Sequence, residues 1–274
     1  MITSIMNCIN NDLEKIALQI HKPQNALYVV VKRDGSYKTM STAKFSFNSK
    51  YSLWDFFSLL ISINKPIDKT KTIQSNNKYS FFIKDFSKLK SEKIDLYYEI
   101  CGLKEDEKWI KEWIYTNINK FSSEKKKVKI FFEVETDRYI EEGRNYYLDK
   151  SISDTRIINN ELLGTSVFLN TNPKKPYLLN RTRNSPISHL VNKKEGYQIY
   201  MLYRIFNSLY DHKKSIIYFT PDGKIMPFGI KDEVKGVPAG SIFTVIRKDS
   251  RGKIVIVKSE SISMDITGKL LRLE

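Results

Sequence analysis

The sequence predicts an α+β protein, and three observations lead there. Apolar residues recur at helical spacing through Ile5, Ile9, Leu13, Ile16 and Ile20. Two strand-like runs flank Asp34-Gly35, a strong hairpin signal. A second run of alternating apolar positions folds back around Asp249–Gly252, and no internal repeat orders the helices and strands into a series.

Taken in order, residues 2–20 read as a helix, and "ALYVVVKRDGSYKTMSTAKFSF" as the first hairpin. The apolar run "YSLWDFFSLLISI" (51–63) is assigned to helix, "NKPIDKTKTIQSNN" (64–77) to polar loop and "KYSFFIK" (78–84) to strand. Residues 88–101 and 105–120 make two helices; Leu89, Ile94, Tyr97 and Tyr98 carry the apolar face of one, Trp109, Ile110, Trp113 and Ile114 that of the other. "KKKVKIFFEVE" (125–135) is a strand entered through a lysine run, and "DRYIEEGRNYYL" a short helix interrupted at Gly143. Periodicity fails from about 150 to 192, a connection too long to be ordinary unless it carries function. Residues 194–210 return to helix, and "SIIYFT" is a strand closed by the turn Pro221-Asp222-Gly223. This divides the chain into an N-terminal α+β lobe (1–120) and a second α+β lobe (121–274) holding a basic loop at 171–186 and the last hairpin, the two being parts of one continuous domain if the boundary is soft.

The composition is that of a folded chain: of 274 residues, 41% are apolar and 12% aromatic, enough to bury a core. Charge is the unusual quantity. The net +15 favours an anionic partner, most commonly nucleic acid. Codon bias toward Lys, Asn and Ile accounts for part of the excess but not for its clustering: residues 171–214 hold nine Lys or Arg against Glu195 and Asp211. Cys8 and Cys101 are two isolated thiols, read as reduced in a cytoplasmic protein. The first residues carry acids early and lack a basic leader, and no uninterrupted apolar window reaches membrane-spanning length, so no membrane partner is expected.

Catalytic signatures are weak. Pro221-Asp222 followed by Glu233-Val234-Lys235 has the residue types of a metal-dependent nuclease, but Pro-Asp-Gly is also a plain turn, and Gly229, Gly236 and Pro238 argue against the strand that Glu-x-Lys needs. Glu133, Glu135 and Asp137 alternate on one strand face, with Glu141 and Glu142 near; a solvated strand edge and helix start is preferred to a metal site. His21, His189 and His212 are scattered without partners at ligand spacing, and no phosphate loop or nucleophile elbow is present. No catalytic residue, metal or cofactor is therefore assigned, and the chain is expected not to be an enzyme.

The stretch "TNPKKPYLLNRTRNSP" (171–186) carries four cations and three prolines with no acid or glycine. Pro173, Pro176 and Pro186 fix φ at three points and lower the entropy lost on ordering. Lys174, Lys175, Arg181 and Arg183 would then be presented to phosphates or base edges, with Tyr177 as a stacking surface. Lys193 and Lys194 extend the basic region. A solvated loop with Tyr177 and Leu178 tucked into the core explains the same composition.

Two segments resemble one family, the large subunit of the type I-B CRISPR Cascade interference complex. The first similarity is carried by Lys175, Pro176, Tyr177, Leu178, Arg181, Thr182 and Arg183. The second is carried by Asn64, Lys65, Pro66, Ile67, Asp68, Ser75, Asn76, Asn77, Ser80, Phe81 and Phe82, with "IDLYYEI" following. An acid expected near Leu179 is missing. The likeness covers the family's N-terminal half and stops where its helical C-terminal half, which lines the target strand, should begin.

The resemblance implies a non-catalytic, DNA-binding role in antiviral defence. Guide RNA reads the sequence, the large subunit recognises the short flanking motif in target duplex DNA, and a recruited enzyme cuts. The implied partners are the Cascade backbone subunits, guide RNA and target duplex. Beginning at Met and ending after a complete hairpin, the chain reads as a finished half-length homologue that takes the large subunit's position and blocks interference, an anti-CRISPR-like competitor. An authentic subunit half remains the alternative, and a metal-dependent nuclease the outsider.

Overall fold

The computed structural model describes residues 4–6, 9, 13–61, 66–147, 162–164, 190–250 and 252–266. The fold is α+β, and contacts divide it into two compact units. One is Lys22–Ser151; the other joins Met1–His21 to Ile152–Glu274. This division differs from the lobes expected at 1–120 and 121–274, for two reasons that the sheet and helix packing supply. Strand β4 (Val128–Phe132) completes the first unit's sheet, and α1 (Leu13–Ile20) packs along a helix of the second.

The Lys22–Ser151 unit is built on a four-stranded mixed sheet. Strand β1 (Leu27–Val31) pairs antiparallel with β2 (Tyr37–Met40) and parallel with β4, and β4 pairs antiparallel with β3 (Ser80–Ile83), giving the order β2-β1-β4-β3. The Asp34-Gly35 turn closes the first hairpin as expected: Gly35 takes φ +81, and the Asp34 carboxylate accepts from Ser36 N at 2.9 Å. All five residues of β4 and all four of β3 are buried. Such continuous burial requires cover on both faces. Alternation along β4 supplies it: Phe131 meets Phe45, Trp54 and Tyr139, while Phe132 meets Trp109 and Trp113 edge-on. One face is thus covered by α2 (Thr42–Ser46), α3 (Ser49–Ser58) and α6 (Thr136–Tyr146), the other by α4 (Ser91–Cys101) and α5 (Lys108–Asn117).

Two expectations are corrected here. Helix α3 ends at Ser58, not 63, because Leu59 turns extended and bridges Ser75. Gly143 does not interrupt α6, which runs unbroken through it; a Cβ there would lie 2.7 Å from Phe57 O and 2.8 Å from Phe57 Cβ. Glycine is what lets α6 approach α3.

The other unit contains α1, the short strands β5 (Leu162–Gly164) and β6 (Leu190–Asn192), the long helix α7 (Lys193–Asp211) and a four-stranded antiparallel sheet. That sheet comprises β7 (Ile216–Phe219), β8 (Ile225–Phe228), β9 (Ile242–Lys248) and β10 (Ile254–Ser261), in the order β10-β9-β7-β8. A capping box starts α7, with Asn192 accepting from Glu195 N at 2.8 Å and Glu195 accepting from Asn192 N. Its apolar face buries Ile199, Met201, Leu202, Ile205 and Phe206. Helix α1 docks on α7 through Ser208 Oγ, which donates to Ile20 O at 3.1 Å, and through Tyr197 and Glu14. Among the described residues no helix is long and apolar enough to cross a membrane.

Candidate nucleic-acid interface

Much of the segment chosen from sequence lies outside the described residues. Lys174, Lys175, Pro176, Tyr177, Arg181, Thr182 and Arg183 lie outside the described residues, as do Asn64 and Lys65. Lys193 and Lys194 open α7, and Lys194 is exposed. A cation such as Lys194 at that end opposes the helix dipole, so its charge is not compensated by the helix itself.

The rest of the second similarity segment is described, and from Ile67 onward the residues that carry the similarity are buried. Asp68 turns its carboxylate back onto its own loop, accepting from the backbone N–H of Thr70 (2.8 Å), Thr72 (2.8 Å) and Ile73 (2.9 Å). Burial pushes its pKa up, but the hydrogen bonds from Ile73, Thr70 and Thr72 outweigh that and hold the carboxyl below its ordinary value. Ser75 Oγ bonds the Tyr97 hydroxyl at 2.9 Å, which also donates to Asn77 O at 3.0 Å. Asn77 accepts from Tyr79 N at 3.1 Å and donates to Tyr139 O at 3.0 Å, while Asn76 accepts from Ile67 N at 3.5 Å. Phe81 and Phe82 are core residues on opposite faces of β3, against Tyr97 and Phe131 respectively. These side chains seal the outer edge of β3: Ile73 bridges Ile83, and Gln74 N donates to Phe82 O at 2.8 Å. Their work is to hold the fold.

Three concave regions lie in the Lys22–Ser151 unit. The first, ≈ 450 Å³, brings Arg33, Lys50 and Arg138 together with Asp106, Glu107, Glu133 and Glu135. Its charges answer one another. Glu107 takes the Tyr79 hydroxyl at 2.5 Å and Lys78 at 3.0 Å, and Lys50 pairs with Glu133 at 3.8 Å. The acidic alternation noted in the sequence is resolved here, since Glu133 follows β4 while Glu135 and Asp137 begin α6.

The second region is a groove of ≈ 750 Å³ between the β1–β2 end and the connection into β4. Lys44, Lys125 and Lys126 line it with Asn25, Thr39, Ser41, Thr42 and Ser123, against the single acid Glu124. Lysine ammonium groups interspersed with hydroxyl and amide donors suit a phosphate backbone. The third region, ≈ 190 Å³, lies on the other side of the same lysine run and is lined by Lys127, Lys71, Gln24 and Gln74. The run 125–127 therefore feeds two basic concavities. The sequence marked it only as the way into a strand.

Between these regions, Lys129 is wholly buried in the centre of β4 and pairs with wholly buried Asp55 of α3 at 2.5 Å. Its ammonium also lies 4.8 Å from the Phe82 ring centroid. This pair is closed to ligands and belongs to the core.

The nuclease constellation does not assemble as its reading requires. Asp222 sits in the β7–β8 turn and pairs with Lys224 at 2.7 Å. Glu233 and Lys235 lie outside any strand and pair with each other at 2.8 Å. Among the described residues, no group of three His, Cys, Asp or Glu side chains could hold a metal ion.

Comparison with known proteins found no matching family model, curated protein or solved structure.

Proposed function

We propose that this chain is a non-catalytic polyanion-binding protein that docks on a guide-RNA-loaded type I-B Cascade, at the large-subunit position, and competes with that subunit. The observation that carries the binding half of this reading is the groove of Lys44, Lys125 and Lys126, set in a chain of net charge +15. The identity of the complex rests on the two similarity segments alone. The buried placement of Asp68, Ser75, Asn76 and Asn77 gives the second segment a role in this chain's own fold rather than in a contact surface.

The test has two stages. Binding of duplex DNA by the free chain should weaken with salt, with a log–log slope of about −4 to −5 if five or so phosphates are neutralised. A slope near zero would remove the electrostatic basis. Guide-loaded backbone subunits should then retain the chain in a pull-down, and added full-length large subunit should displace it by mass action. Failure to co-purify overturns the Cascade assignment while leaving polyanion binding intact; complementation of a large-subunit deletion replaces competitor by subunit. Changing Lys175, Arg181 and Arg183 to Ala, separately from Lys44, Lys125 and Lys126, determines whether loop or groove carries the binding.

A further inference from the structure

We infer that the ≈ 190 Å³ cavity beside the start of β4 is a site for a single phosphate-class oxyanion, held between Lys127 and Lys71 with Gln24 and Gln74 as amide donors. This goes beyond the docking proposal and does not depend on it.

Composition of the wall is the first argument. Two lysines and two glutamines converge on the cavity without one carboxylate, and Leu59, Leu60, Ile61 and Phe82 provide an apolar floor. Its volume equals about six waters' share of liquid, enough for a tetrahedral oxyanion with part of its hydration. Lys127 Nζ already donates to Gln24 Oε1 at 3.2 Å, which orients the Gln24 amide and leaves its NH2 to donate.

Charge is the second. Asp55 is the acid whose field reaches Lys127, and it is committed to Lys129 at 2.5 Å. Lys127 itself has no carboxylate within ion-pair distance among the described residues. Burial first and the field of Lys129 next push its ammonium down to about 8; Asp55 opposes them, and Lys84 adds the smallest downward effect. Lys71 shares the cavity, and Lys125, Lys126 and Glu124 precede Lys127 on its own segment. A half-buried cation in surplus positive charge is the condition that a bound dianion relieves.

Backbone is the third. Lys71 adopts φ +57, a left-handed conformation that glycine fills without cost. Its N–H is fixed to Asp68 O at 2.9 Å, so the Asp68 loop that seals the β3 edge also sets the position from which Lys71 reaches the cavity.

Sulfate is the first probe, because it remains a dianion across the working range and leaves any pH dependence to the protein. Calorimetric titration should show affinity falling about tenfold from about pH 7 to about pH 9, as Lys127 deprotonates. Lys127→Arg, which keeps the charge without titrating, should bind sulfate and lose that dependence. Lys127→Met should lose at least about tenfold in affinity with an unchanged circular dichroism spectrum. Lys71→Gly should weaken binding while its thermal midpoint holds or rises. Saturating sulfate should also slow acylation of Lys127, read by peptide mass mapping. The inference fails if both Lys127 variants bind sulfate as the parent does, or if Lys127 acylation ignores sulfate. Competition separates the natural sources. Displacement by a 5′-phosphorylated oligonucleotide but not its unphosphorylated twin identifies a terminal phosphate. Equal displacement identifies backbone phosphate, and displacement by inorganic phosphate alone a free anion.

Discussion

The Asp68–Phe82 segment and the Lys125–Lys127 run are both polar in sequence, and they end in opposite conditions. In the first, the Asp68 carboxylate, the Ser75 hydroxyl and the Asn77 amide are turned inward and satisfied by their own chain, and only the Asn76 Nδ2 of this group is left unpaired. In the second, consecutive cations meet two concavities with a single acid between them. Buried polar groups that are satisfied specify a fold; crowded cations that are not satisfied specify a partner. The Asp55–Lys129 pair stands at the boundary, since it is as charged as the lysine run and as closed as the Asp68 loop.

That contrast predicts a graded set of effects. Asp55→Ala should be the most damaging change, costing about 3–5 kcal/mol, because it strands the Lys129 ammonium in the sheet. The double variant Asp55→Leu with Lys129→Met should recover most of the loss in urea unfolding; no recovery would mean that Asp55 supports more than its partner. Gly143→Ala should cost about 1–3 kcal/mol through contact with Phe57, and a neutral result would show that α6 shifts freely on α3.

Asp68→Asn should cost about 1–3 kcal/mol, since three backbone donors lose a charged acceptor. It carries a pH signature as well. The folded-state pKa of Asp68 lies below its unfolded value. Its stabilisation is therefore complete above the unfolded pKa and lost as pH falls through the folded one. Stability of the Asn variant should converge on that of the parent in acid; parallel curves would exclude the carboxylate as the source. Smallest in stability is Lys44→Ala with Lys125→Ala and Lys126→Ala, each shift within about 0.5 kcal/mol. The same variant should flatten the salt slope of duplex binding by about 0.9 for each phosphate contact removed. Large unfolding effects with unchanged binding would exchange the roles of the two regions.

The elements with clear periodicity were legible. The hairpin at Asp34-Gly35, α4, α5, α7, and the hairpin around Asp249 follow local rules that need no distant partner. What was hidden depended on sequence-distant groups. Lys129 carries no local sign of burial within its strand run; its partner Asp55 lies 74 positions away. Gly143 reads as a breaker until Phe57 arrives. Strand β8 contains Pro227, which ordinarily argues against a strand, and is tolerated at the sheet's edge, where one ladder is absent. For the same reason, Gln24, Lys71, Gln74 and Lys127 carried no joint signal: three loop positions and a strand entrance form a site only after the sheet has closed.

The strand order β2-β1-β4-β3 has a consequence for how the protein is made. Synthesis delivers β1, β2 and β3 before β4, yet β4 is the strand between β1 and β3. Until residues 128–132 leave the ribosome, the inner edges of "LYVVV" and "SFFI" have no ladder to join. Nearly half the chain thus emerges with two unpaired apolar edges, the form most prone to pairing with a neighbour. A pause in translation before residues 128–132 leave the ribosome would lengthen that exposure, and a nascent-chain crowding defect would fall on this unit first.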